Sequence, residues 1–125
     1  MVELIRTVGA YRCVGLYEVE SDMIAVVARS GPAGPAHPRL PITQGLCGAA
    51  VRSSSVVVVG DVAKDPRYLT TLESTRSEIV VPIVPPATGA VLGVIDVESE
   101  RPNAFTGDDQ RFLESCTSVL GRHWE

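Results

Sequence analysis

Glu78, Asp96 and Glu98 sit in two stretches, SEIVVP and GVIDVES, that otherwise read as apolar strands. Residues 78–84 and 90–97 are the two clearest strand patterns of the chain, joined by the PPATG connection at 85–89. Setting Val84 opposite Ala90 places Glu78 opposite Asp96 and Arg76 opposite Glu98. Side chains alternate along a strand, so Ile79, Val81, Ile83, Gly93, Ile95 and Val97 share an apolar face. Arg76, Glu78, Asp96 and Glu98 then gather on the other face. Like charges directly opposite one another destabilise a sheet. Two arrangements relieve the strain. A cation or amine ligand is held between the carboxylates under loops that act as a lid, or Arg76 and solvent neutralise them at a sheet edge. If water is excluded, such a pair shares a proton or titrates high.

Cys47 is the second candidate. Thr43 is expected to cap a short helix in which Leu46, Cys47, Ala50 and Val51 share a face. In the first turn of that helix, backbone N–H groups and the dipole favour a thiolate, which makes Cys47 a candidate redox nucleophile. The alternative is a small buried hydrophobe. The same helix start, around Gly45, Leu46 and Cys47, can accept the anionic end of a ligand. His37, in a loop rich in proline and glycine, and Tyr68, after the Asp65-Pro66-Arg67 turn signal, are candidates for the lid. Cys116 reads as core and Cys13 as structural. His37 and His123 form no metal-ligand spacing with the cysteines, so neither a metal nor a cofactor is expected. No phosphate-loop, dinucleotide, metalloprotease or nucleophile-elbow pattern is present.

The elements that position these residues follow from periodicity. Val2, Ile5 and Val8 mark a short N-terminal helix within 1–9. Residues 14–19 and 23–28 flank a Glu20-Ser21-Asp22 turn as a hairpin, and 56–59 is a β-branched strand. The segment 31–41 holds four prolines and two glycines in eleven residues and is expected to be a loop. Thr106 caps a last helix over 106–121, whose stripe is Phe112, Leu113, Cys116, Val119, Leu120 and Trp124. The short connections imply an antiparallel sheet with the terminal helices on one face, an α+β architecture. The 125 residues make one domain, with the sheet and pocket over 11–99.

Composition excludes other classes. The 11 Lys+Arg against 15 Asp+Glu give a net charge of −4, which opposes binding to a phosphate backbone. No apolar run is long enough to span a membrane and no secretory leader pattern is visible. Three widely spaced cysteines do not suggest a disulfide scaffold, so the expected compartment is the cytoplasm.

The blocks GLCGAAV (45–51), VVVVGDV (56–62), DPRYL (65–69), TRSEIVVPI (75–83), VLGVIDVES (91–99) and NAFTGDDQRFLE (103–114), in this order, resemble a GAF domain. The resemblance implies a six-stranded antiparallel sheet, helices packed on one side and a small-molecule pocket under loops on the other. SEIVVP and GVIDVES are especially similar to free methionine-(R)-sulfoxide reductases, which reduce their substrate with cysteines and recycle through thioredoxin. By that match Glu78, Asp96 and Glu98 are the acidic set that holds the substrate amine, and Cys47 is one of the redox cysteines. The family's attacking cysteine lies shortly before SEIVVP. Here 68–75 reads YLTTLEST, with Thr71 at about that place. A hydroxyl cannot pass through sulfenic acid and disulfide. The expectation is therefore a GAF sensor module for an amine- or amino-acid-like ligand. It signals to a protein partner through a homodimer of its helices, with Glu78, Asp96, Glu98, Cys47, Gly45, Leu46, Tyr68, Thr71 and His37 around the ligand. The alternatives are a divergent reductase using Cys47, with Cys13 as resolver, and a structural dimerisation domain without a ligand.

Overall fold

The computed structural model describes residues 1–32, 37–70 and 73–124. In chain order the elements are α1 (Val2–Gly9), β1 (Cys13–Glu20), β2 (Met23–Ser30), β3 (Arg39–Pro41), α2 (Gly45–Ser53), β4 (Val57–Val59), a 3-10 turn (Val62–Lys64), β5 (Ser77–Ile83), β6 (Gly93–Ser99) and α3 (Gly107–Arg122). The strands form one six-stranded antiparallel sheet in the order β3-β2-β1-β6-β5-β4. This is the α+β arrangement expected from the sequence, with α1 and α3 on one face and α2 and loops on the other.

Alternation in the central strands divides the core in two. Val14, Leu16, Ile79, Val81, Ile83, Ile95 and Val97 point towards α1 and α3, where Ile5 and Leu113 close a mainly apolar layer. Tyr17, Val80 and Val94 point the other way, towards Leu46, Cys47 and Ala50 of α2. A β-bulge lets β2 follow this division. Leu16 pairs with Ala28 and Tyr17 with Val26, which leaves Val27 as the extra, exposed residue.

Several local expectations are corrected. In the β5–β6 ladder Glu78 pairs with Glu98 and Val80 with Asp96, not Glu78 with Asp96. The strands stop at Ile83 and resume at Gly93, so Val84 and residues 90–92 belong to the connection. Pro85 and Pro86 cannot donate to a ladder. The Pro85 carbonyl instead accepts from the Thr88 and Gly89 N–H groups, closing a turn of its own. The difference in register is two residues, so every side chain stays on its expected face. Arg76, the expected neutralising partner, lies outside β5 and is exposed.

Residues 39–41, expected as loop, form the edge strand β3, where Pro41 is tolerated because one side of the strand is unpaired. The N-cap of α2 is the extended Gln44 rather than Thr43, and no side chain caps it. Thr106 does cap α3, in a reciprocal box with Asp109. The buried line of α3 runs through Leu113, Thr117 and Gly121, while Val119 is exposed.

Leu113 has no accessible surface and bridges α3 to the sheet. Leu113→Ala is expected to destabilise the fold by about 2–5 kcal/mol, whereas Val27→Ala at the bulge changes stability by about 0.5 kcal/mol or less. Urea denaturation of the two variants checks the contrast.

Candidate functional site

Two rows of cross-strand neighbours build the polar centre of the α2 face. One runs Cys13, Glu98, Glu78, Val59 across β1, β6, β5 and β4, and the next runs Arg29, Gly15, Asp96, Val80 across β2, β1, β6 and β5. Helix α2 lies over them and lowers Cys47 from its first turn. The Cys47 thiol and one carboxylate oxygen each of Glu78 and Asp96 lie within 4.8 Å of one another. Cys47 is 8% exposed, Glu78 4%, Asp96 5% and Glu98 1%. The carboxylates are thus gathered and sheltered, not splayed into solvent.

Cys47, Glu78 and Asp96 wall a small cavity of about 30 Å³, room for roughly one water. Gly45, Leu46 and Cys47 line it from α2, Tyr17 and Leu40 from the sheet, and Tyr68, Leu69 and His37 from the loops. The His37 Nε2 donates to the Thr70 carbonyl at 3.1 Å, tying the loop before β3 to the one before β5. Tyr68 is placed by a turn in which Arg67 pairs with Asp65 at 2.6 Å. Arg67 therefore anchors the loop. Glu98 is held by the Thr75 hydroxyl, which donates to its Oε1 at 3.0 Å, and it is not among the residues on the cavity wall. Thr71 lies outside the described residues.

Electrostatics set the protonation. Burial, then the neighbouring Asp96, raises the Glu78 pKa well above the usual carboxylate range. Burial also raises Asp96, to about 7, while the hydrogen bond from Glu78 and the charge of Arg29 pull it back down. Above about pH 7 the pair thus holds one proton between them. Glu78 Oε1 and Asp96 Oδ1 still have no hydrogen-bond partner among the described residues. Cys47 corrects an expectation. Its position at a helix start does not make it a thiolate, because burial and then Asp96, Glu78 and Glu98 raise its pKa well above the ordinary thiol value. In the absence of a ligand it is a neutral thiol. Cys13 is likewise held up, to about 11, mainly by burial.

Two residues of this site were not singled out from the sequence. The Tyr17 ring covers the space left by Gly15, where an added Cβ would lie 2.8 Å from it. Arg29 faces Asp96 across that same glycine and has Nε and Nη2 buried without partners among the described residues. The period-two alternation Cys13, Gly15, Tyr17 carried the first signal. Nothing local marked the second. A larger open groove of about 590 Å³, between the end of α1 and the start of α3, carries Arg6 and Arg12, but these already bind Ser30 and Glu100.

A family model described as GAF domain matches residues 1–124. GAF domain-containing protein A of Dictyostelium discoideum is 32% identical over 108 residues, covering 86% of this chain and 66% of that protein. The type II free methionine-R-sulfoxide reductase from Thermoplasma acidophilum superposes with a TM-score of 0.90 at 30% identity, over 96% of this chain and 84% of that one. The free methionine-R-sulfoxide reductase from Neisseria meningitidis, solved in complex with its substrate, gives a TM-score of 0.90 at 31% identity, over 98% and 72%. The chain spans 43–66% of the length of the curated relatives it matches. Among the described residues no helix is long and apolar enough to cross a membrane.

The raised carboxyl groups have a consequence for stability. Unfolded, Asp96 titrates near 3.9, and folded near 7, so between those values the folded chain binds more protons. Stability therefore falls as pH rises through that window, and Glu78, raised well above its ordinary value, extends the fall upwards. Glu78→Gln removes one titrating member of the pair. Urea denaturation at pH 5 and pH 8 is expected to show the wild type losing more stability than this variant across the interval.

Proposed function

The chain belongs to the GAF domain family, whose fold it shares with free methionine-R-sulfoxide reductases and GAF sensor proteins, and from that premise we propose that its pocket binds a free amino acid of the methionine-(R)-sulfoxide class and reduces it with Cys47. The observation that carries this is one thiol and two carboxyl groups within 4.8 Å of one another in a site closed to bulk water. A thiol that reduces a sulfoxide needs an acid to protonate the sulfoxide oxygen and a base to take its own proton. A carboxyl pair holding one proton supplies both.

Glu78 gives its proton to the sulfoxide oxygen while Asp96 takes the Cys47 proton. The Cys47 sulfur attacks the sulfoxide sulfur, the sulfur–oxygen bond breaks, and the hydroxyl passes to Cys47. Cys47 is oxidised by two electrons to the sulfenic acid and the sulfoxide is reduced by two to the thioether. The proton on Asp96 returns to the pair. An external dithiol of the thioredoxin class then restores the thiol and releases water. The acidic cluster completed by Glu98 favours the substrate ammonium, and the N–H groups at Gly45, Leu46 and Cys47 favour its carboxylate. An amino acid is larger than a 30 Å³ cavity, so its entry requires the wall to open. A reducing compartment such as the cytoplasm suits a free working thiol.

A second reading is supported by two observations. Thr71 stands at about the place where the resemblance puts the attacking cysteine, and the Cys47 thiol is held protonated. In that reading the three carboxylates hold an amine ligand without turnover. The exposed stripe Met1, Leu4 and Val8 on α1, together with α3, forms the dimer surface that reports occupancy to a signalling partner.

A thioredoxin-coupled assay on free methionine-(R)-sulfoxide separates the two. Turnover is expected, abolished by Cys47→Ser and lowered about 100-fold or more by Glu78→Gln. Absence of turnover, with thermal stabilisation by methionine sulfoxide or simple amines, establishes the binding-only reading. Neither turnover nor stabilisation contradicts both.

A further inference from the structure

The cluster that the proposed chemistry uses also has the composition of a metal site. Glu78 and Asp96 are more than nine-tenths buried, both wall the cavity, and each keeps an oxygen without a hydrogen-bond partner among the described residues. A buried acceptor left in that state is unfavourable until something donates or coordinates to it. The third donor, Cys47, is a sulfur held in the first turn of a helix and buried to the same degree. We propose that Cys47, Glu78 and Asp96 bind one divalent transition-metal ion of zinc-like softness, with a water in the fourth position.

Three properties of the cluster select that ion. The first is size. Three atoms no more than 4.8 Å apart put an ion at their centre at most about 2.8 Å from each, and shifts of at most about 0.5–0.8 Å reach the 2.0–2.3 Å of zinc bonds to oxygen and sulfur. The cavity beside them holds about one water, which is the ligand that three-donor zinc sites leave open. The second is donor type. One thiolate with two carboxylates suits zinc, ferrous iron or cobalt, whereas calcium takes six to eight oxygens and magnesium an octahedral oxygen shell. The third is charge. A thiolate and two carboxylates with a divalent cation leave one negative charge, and the guanidinium of Arg29 faces Asp96 across Gly15 with two buried nitrogens that have no partner among the described residues. The ligands are far apart in sequence, on α2, β5 and β6, so no short motif announces them. Metal occupancy consumes the thiol and both carboxyl groups. The ion and an amino-acid ligand are therefore mutually exclusive, and the metal acts as an inhibitor of the pocket.

The test is a titration of the full, metal-free chain with cobalt(II), followed by absorption. One equivalent per chain is expected to produce a near-ultraviolet thiolate-to-cobalt charge-transfer band, which zinc(II) then displaces. Cys47→Ser loses the band, Glu78→Gln and Asp96→Asn each weaken cobalt binding tenfold or more, and Cys116→Ser keeps both band and stoichiometry. Should Cys47→Ser fail to fold by circular dichroism, the two carboxyl variants carry the comparison. Absence of the band in the wild type, its survival in Cys47→Ser, or unchanged cobalt affinity in both carboxyl variants overturns the proposal. The sulfoxide assay is run on metal-free protein. A cobalt band without turnover leaves the metal site standing and removes the reductase reading, and turnover without a band does the reverse.

Discussion

The exclusion of water from two adjacent carboxyl groups governs this protein. In solvent Glu78 and Asp96 would each be an ordinary carboxylate with little effect on the other. Under α2 they are desolvated together, so one proton stays between them and the nearby thiol is held neutral. Every element of the α2 face contributes to that exclusion. Val80 and Val94 floor it, Leu46 and Ala50 roof it, and Tyr17 fills the space above Gly15. The other face of the sheet, closed by Ile5 and Leu113, carries no such burden and supplies the apolar burial that tolerates it.

Much of this arrangement was legible in the sequence, for a specific reason. Strand periodicity reports which face a side chain takes, and it does so whatever the register. Glu78, Asp96 and Glu98 were placed together by alternation alone, and a register two residues from the expected one left them together. The register itself depends on how Pro85 and Pro86 close their turn, which periodicity does not encode. The strand at Arg39–Pro41 was hidden because proline signals a break, and only its place at the sheet edge makes it acceptable.

The state of Cys47 was not legible, and the reason is instructive. Local position at a helix start favours a thiolate. The deciding charges, Asp96 and Glu78, come from strands remote in sequence, and burial outweighs the helix dipole. Arg29 was missed on similar grounds, since an isolated arginine in a strand looks like a solvated side chain until Gly15 is seen to open a path to Asp96. Fold membership follows from many weak blocks in order. Function depends on a few side chains whose protonation is settled only in three dimensions.

The central claim is that Glu78 and Asp96 form a dry pair with one proton between them. Carbon-13 NMR of the side-chain carboxyl groups across a pH titration tests it most directly. Glu78 is expected to remain protonated well above the usual carboxylate range and Asp96 to titrate near 7. Two independent titrations near pH 4, the ordinary carboxylate value, would contradict it.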